Sequence, residues 1–190
     1  MKNKTLGQVT GDETTHSAVV LEIYTIAEYE NGGRVEKYIN RMYNENDIVD
    51  LEKIAKIKAE TEGVRVQIQP IIDSPKDVNY GRVFPELVGT EYEGKCPDLR
   101  VITNIDEKTY VEYESFEKKK PFKMRKVYHM LKHGAAQASN NVLDIRGTTV
   151  TSRGVKGRVE KLKGQKDFTK KIEEVWLYDG KKLKNAYKNK

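Results

Sequence analysis

The sequence predicts a mixed α/β (α+β) domain, a central mixed β-sheet flanked by helices in three layers, and three observations carry that reading. Stretches of helical periodicity are interleaved with stretches that alternate apolar and polar residues. Glycines and prolines sit at the joins between them. The order runs helix, strands, helix, strand, which builds helices over a sheet and not a bundle or a sandwich. At 190 residues, 37% hydrophobic and 34% charged, the chain is long enough for one ordinary core. Residues 1–14 are polar and aperiodic and read as a loose tail, leaving residues 15–190 as a single domain.

Each element has its own warrant. In AVVLEIYTIAEYENGG, Ala18, Leu21, Thr25 and Tyr29 follow helical spacing and Gly32-Gly33 suit a stop, so a first helix is expected, with VVLEIYT able to pass as a strand. RVEKYIN is a short strand. Ile48, Leu51, Ile54, Ala55 and Lys58 lie on one side of a second helix that Gly63 ends. VRVQIQPII alternates as a half-buried strand does, and the turn residues of DSPKDVNYGRVFPELVGTEYEGK predict a long loop. LRVITNIDEKTYVEYES follows as a hairpin. Met124, Val127, Tyr128, Leu131, Ala135 and Ala138 then form one apolar stripe on an amphipathic helix whose other face carries Lys123, Arg125, Lys126 and Lys132. NVLDIRG is a short buried strand, SRGVKGRVEKLKGQ a weak helix broken by glycines, and EEVWLYDGKKLKNAYK a hairpin on an Asp-Gly turn.

Composition excludes several classes. No apolar run approaches the ~20 residues of a membrane span, and MKNKTLGQVTGDETTH lacks the apolar segment of a signal peptide, so a cytoplasmic protein with no membrane partner is expected. The single cysteine, Cys96, leaves no internal disulfide and no multi-cysteine zinc site. Charge is divided unevenly: residues 1–115 hold 14 Lys+Arg against 22 Asp+Glu, and residues 116–190 hold 21 against 7. A basic half of that kind faces a polyanion, since clustered cations release counterions from phosphates; nucleic acid is the expected partner, a solvated lysine-rich surface the alternative.

Three acids stand apart from that basic half. Glu112 and Glu114 are two residues apart on a strand, so they share a face, and two like charges side by side repel unless a cation lies between them. Mg²⁺, or another divalent cation, suits one or two carboxylates together with substrate phosphate oxygens. Asp98 joins them only if opposed residues of the hairpin have an even index sum. A three-residue turn at Asp106–Lys108, setting 105 against 109, or a bulge near Pro97 satisfies that condition; a two-residue turn at Asp106-Glu107 does not. The alternative is that the glutamates line a wet sheet face and Asp98 caps a turn.

The succession GKCPDLRV, TYVEYES and AAQASNNVLDIRG resembles the PD-(D/E)xK nuclease superfamily, with its restriction-endonuclease-like core, and within it the C-terminal nuclease domains of contact-dependent growth-inhibition and related polymorphic toxins. The resemblance spans roughly residues 80–147. It implies a metal-dependent nuclease acting on tRNA or DNA, with Asp98 and Glu112 as metal ligands, Glu114 in the position of the family's lysine, and Gln137 facing the reaction centre. It also implies an acid on the first helix, for which Glu22 and Glu28 are candidates, and a cognate immunity protein as a partner. Lys95, Lys123, Arg125, Lys126 and Lys132 would grip the nucleic acid. Glu114 departs from the family, because a glutamate cannot donate the positive charge that the lysine gives to the phosphorane. It would instead bind metal or act as a base, with Lys95, Lys123, Lys126 or a second Mg²⁺ supplying the charge; or the chain binds nucleic acid without cutting it.

Other patterns are weaker. His129 and His133 have the i, i+4 spacing of two helical metal ligands, yet HMLKH is not HExxH and no third ligand is evident, so they read as polar or phosphate-facing side chains. Cys96 has no partner base in the sequence and reads as a small buried side chain. GTTVTSRGVKGR lacks the order of a phosphate-binding P-loop. Trp176 and Tyr178 can stack bases or pack a core, and packing is the commoner fate.

Overall fold

In the computed structural model, residues 21–39, 41–72, 77, 79–104, 107–116 and 123–189 are described. The proposed tail, residues 1–14, and the first part of the proposed first helix lie outside them. The helical spacing of the second predicted helix is realised in α1 (Ile48–Glu62), which buries Leu51, Ile54, Ala55, Lys58 and Ala59 and ends on Gly63 in the left-handed region, whose amide donates to the Ala59 carbonyl. Before it come β1 (Ile23–Glu28) and β2 (Arg34–Tyr38), and after it β3 (Arg65–Ile68). Next are a one-turn helix α2 (Tyr80–Val83), β4 (Leu99–Ile102), β5 (Lys108–Glu114), α3 (Met124–Gly134), β6 (Asn140–Asp144), α4 (Ser152–Lys163), β7 (Glu174–Tyr178) and β8 (Leu183–Lys188).

All eight strands form one sheet in sequence order. The pairs β2/β3, β5/β6 and β6/β7 are parallel and the other four antiparallel, so the fold is mixed α/β. Pleating divides the side chains between two faces. One carries Val35, Val66, Ile68, Leu99, Val101, Val111, Tyr113 and Val142 and packs on α1. The other carries Leu143, Val175, Leu177 and Tyr187 under α3 and α4. The helices thus lie on both sides of the sheet, as a three-layer order requires. Among the described residues no helix is long and apolar enough to cross a membrane.

Three expectations are corrected. Residues 23–28 form a strand, because they pair antiparallel with β2 and the ENGG stretch, with Gly32 at φ 83°, turns the chain back as a hairpin instead of ending a helix. The long loop before β4 holds α2 and a third core cluster, with Tyr80, Val83, Phe84 and Leu87 packed on Tyr110. Its aromatic residues outweigh its turn residues. Finally, α4 runs unbroken through Gly154 and Gly157, stabilised by its buried Val155, Val159 and Leu162 and by the Thr151 hydroxyl, which accepts from the Gly154 amide at 3.2 Å.

Candidate metal centre

The hairpin register decides which acids meet. Leu99 opposes Val111 and Ile102 opposes Lys108, an even index sum of 210, and the Thr103 amide donates to the Glu107 carbonyl at 3.1 Å. Three residues separate that pair, so the loop is odd as the shared site demands, but it falls two positions earlier than Asp106–Lys108. Continuing the ladder by one residue sets Asp98 against Glu112. The Asp98 carboxylate accepts the Tyr113 amide at 2.8 Å, and the Glu112 carboxyl accepts a hydrogen bond from the Asp98 backbone.

Glu112 and Glu114 share the sheet face covered by α3. Glu112 lies beside Asn141 and Glu114 beside Leu143 in the parallel pairing with β6. The last residue of α3 has to be small here: a Cβ on Gly134 would stand 1.9 Å from Asn141 Oδ1 and 3.2 Å from Glu114 Cγ. That close approach brings His133, the residue before it, onto Glu114, with Nδ1 against Oε1. Glu112, Glu114 and His133 each offer a ligand atom, and all three atoms lie within 4.8 Å of one another, so the group can hold a metal ion. Two further acceptors are left over: Glu112 Oε2 and Asn141 Oδ1, on paired residues of adjacent strands, are buried without a hydrogen-bond donor.

The electrostatics are those of acids short of positive charge. Burial pushes the Asp98 carboxyl up to about 7, against the Tyr113 amide that draws it down. Glu112 is raised well above the ordinary glutamate range, by burial first and then by the Asp98 and Glu114 charges. Burial also raises Glu114, and His133 partly offsets the shift. Asp47, immediately before α1, adds a fourth carboxylate whose field reaches all three and whose own pKa is raised by burial. Among the described residues no lysine or arginine forms an ion pair with Asp98, Glu112 or Glu114.

The sequence-based candidates separate accordingly. Asp98, Glu112 and Glu114 converge. Gln137 lies in the turn after α3, where its amide donates to the Gly134 carbonyl. Glu22 and Glu28 are exposed on the edge of the sheet and belong to no helix; at the start of the helix that does form stand Asp47, just before it, and Asp50 in its first turn. Lys95 is half-buried, its carbonyl accepting from the Tyr80 hydroxyl at 3.0 Å. Lys123 flanks the start of α3, Arg125 and Lys132 are exposed on it, and Lys126 lies 5.6 Å above the Phe116 ring. His133 pairs with Glu114 across elements and not with His129. Its i, i+4 partner drew attention along the helix, whereas the informative neighbour was Gly134. Cys96 donates weakly to the Ile72 carbonyl at 3.5 Å and burial raises its thiol, so it is no activated nucleophile. Tyr178 is fully buried and Trp176 is capped by Lys58 at 4.0 Å, so both pack instead of presenting free stacking faces.

No protein-family model, curated protein or solved structure matches this chain.

Proposed function

We propose that the chain is a metal-dependent nuclease with a restriction-endonuclease-like core, similar to the contact-dependent inhibition toxin nucleases, that hydrolyses phosphodiester bonds of tRNA or DNA. The observation that carries the reading is the pair of donorless buried oxygens, Glu112 Oε2 and Asn141 Oδ1, beside three carboxylates of raised pKa. Buried acceptors of this kind cost free energy unless something positive meets them. The segments behind the resemblance also occupy consecutive elements: GKCPD enters β4, TYVEYE lies in β5, and AAQAS joins α3 to β6.

In this reading Glu112, Glu114 and His133 hold the ion, and Asp98 is the adjoining acid that the resemblance assigns to it. A divalent cation there supplies Lewis-acid polarisation of a phosphoryl oxygen and a more acidic water. Two carboxylates suit Mg²⁺, and the imidazole widens the choice to Mn²⁺ or a softer ion. A ligating His133 is neutral, so the positive charge that Glu114, in the lysine position, cannot give would come from the ion itself. An immunity protein that neutralises the nuclease belongs to the same proposal.

Incubating the purified protein with tRNA and with plasmid DNA, with Mg²⁺, Mn²⁺ or EDTA, tests it. Cleavage is expected only with a divalent ion and is lost in Asp98→Ala and Glu112→Ala. The glutamate in the lysine position favours one other reading, a module of the same fold that binds nucleic acid without cutting it. Salt-sensitive binding with no cleavage in any metal would establish that one and reject the nuclease.

A further inference from the structure

A groove of about 610 Å³ runs between α3 and α4, lined by Arg125, Tyr128 and His129 from one helix, Arg158 and Lys161 from the other, and Gln165 just beyond. Three cations and an imidazole face it, and no carboxylate does. Among the described residues none of Arg125, Arg158 and Lys161 has an ion-pair partner, whereas other cations of the molecule, such as Arg65, Arg100 and Arg146, are paired. The groove walls are fixed: Val127 and Leu131 share a core with Val155, Val159 and Leu162, and the Tyr128 hydroxyl donates to Gln165 Oε1 at 2.5 Å. The exposed His129 ring stands edge-on to Tyr128 with centroids 5.7 Å apart.

We infer that this groove holds the phosphodiester backbone of a single nucleic-acid strand and leads it to the acid cluster. Arg125, His129 and His133 recur every four residues along α3, so a line of one guanidinium and two imidazoles runs from the groove to the candidate metal centre over about 12 Å of helix. Unpaired cations confer affinity on a strand by releasing its counterions, and aromatic rings among them suit unpaired bases better than a stacked duplex. The inference takes its ligand class from the nucleic-acid part of the proposed function, and it adds Arg158, Lys161 and Gln165, which no motif marks.

Anisotropy of a fluorescein-labelled 15-mer, as single-stranded RNA, single-stranded DNA and duplex, measured in EDTA over a range of KCl, tests the groove apart from the metal. Wild-type protein should bind the single strands more tightly than the duplex. In Arg158→Gln/Lys161→Gln the log–log salt slope should fall by about 1.4, with roughly tenfold weaker binding at low salt. Unchanged slope and affinity would overturn the inference, as would preference for the duplex. Should the double variant not fold, ring resonances of His129 and Tyr128 in the wild type must shift on oligonucleotide titration, and their constancy would count equally against the groove. Mn²⁺ binding by the double variant separates the two proposals: it is expected to be unchanged. A groove that binds in a protein that never cleaves rejects the nuclease alone.

Discussion

Two acid clusters flank β5 and β6, one on each face of the sheet, and they are satisfied in opposite ways. On the α1 face, Asp50 and Asp144 are joined by Arg146, whose Nη1 donates to Asp50 at 2.9 Å and whose Nε donates to both oxygens of Asp144 at 3.0 and 2.9 Å. The Tyr113 hydroxyl adds a bond to Asp144 at 3.1 Å, and the guanidinium stacks 5.3 Å from the Tyr178 ring. On the α3 face, Asp98, Glu112 and Glu114 have two backbone donors and one exposed imidazole, and Glu112 Oε2 and the neighbouring Asn141 Oδ1 have no donor among the described residues. The same strands can therefore bury carboxylates with a built-in cation or without one. The first arrangement is a structural joint. The second has the charge balance of a site made for a ligand.

The largest expected effect breaks the joint. Arg146→Met leaves Asp144, 2% exposed, without a cation and Asp50 with only Lys53 at 4.0 Å, so it should lower unfolding free energy by about 3 kcal/mol in urea denaturation. Glu112→Gln on the other face replaces a carboxyl that no lysine or arginine among the described residues pairs with, and in EDTA it should not destabilise at all. Equal losses for the two variants would erase the distinction between the clusters. Next in size is the metal: Mn²⁺ or Mg²⁺ at a hundred times its dissociation constant should stabilise the wild type by about 2.7 kcal/mol. Glu112→Gln/Glu114→Gln should lose that gain, whereas a conservative Asp50→Asn should keep it.

How much of this the sequence disclosed follows from how local each signal is. α1 and α3 were legible because a buried stripe repeats every turn, and the Asp-Gly hairpin because Gly180, at φ 97°, suits the turn. At β1 the helical reading fails and the alternative, VVLEIYT as a strand, is the one that Ile23–Thr25 follow, because pairing with β2 is what fixes the strand, and Ile23, Tyr24 and Thr25 are exposed at the sheet edge, where no periodicity is imposed. In the candidate centre, the glutamate pair was visible from alternation alone, and Asp98 depended on a register condition that could be stated but not decided. His133 sits on α3 and Asp47 just before α1, so no spacing in the chain joins either of them to the acids of β5. The joint at Arg146 spans 96 residues to Asp50 and was equally hidden.

The pH dependence sharpens the comparison further. Asp98, Glu112 and Glu114 all have folded pKa values above their ordinary ones, so the folded, metal-free protein binds more protons than the unfolded chain between about pH 4 and the raised values, about 7 for Asp98. Stability in EDTA should therefore fall as pH rises through that window. Glu112→Gln should flatten the fall and leave the variant the more stable protein at pH 8. Chemical denaturation at half-unit pH steps checks the sign, and a metal-free protein that grows more stable from pH 5 to 8 would contradict it.

The smallest effect on folding is expected at His133, and the contrast between its two readouts makes it informative. The side chain is 66% exposed and meets Glu114 at the mouth of the cluster, so His133→Ala should change metal-free stability by less than about 0.5 kcal/mol, as exposed pairs do. If it is a ligand, the same substitution must weaken Mn²⁺ binding, and more strongly than Mg²⁺ binding, because nitrogen donors favour the softer ion. Titration calorimetry with both ions measures the difference. A variant that loses neither affinity would leave the ion to Asp98, Glu112 and Glu114, of which the resemblance implies Asp98 and Glu112 as ligands.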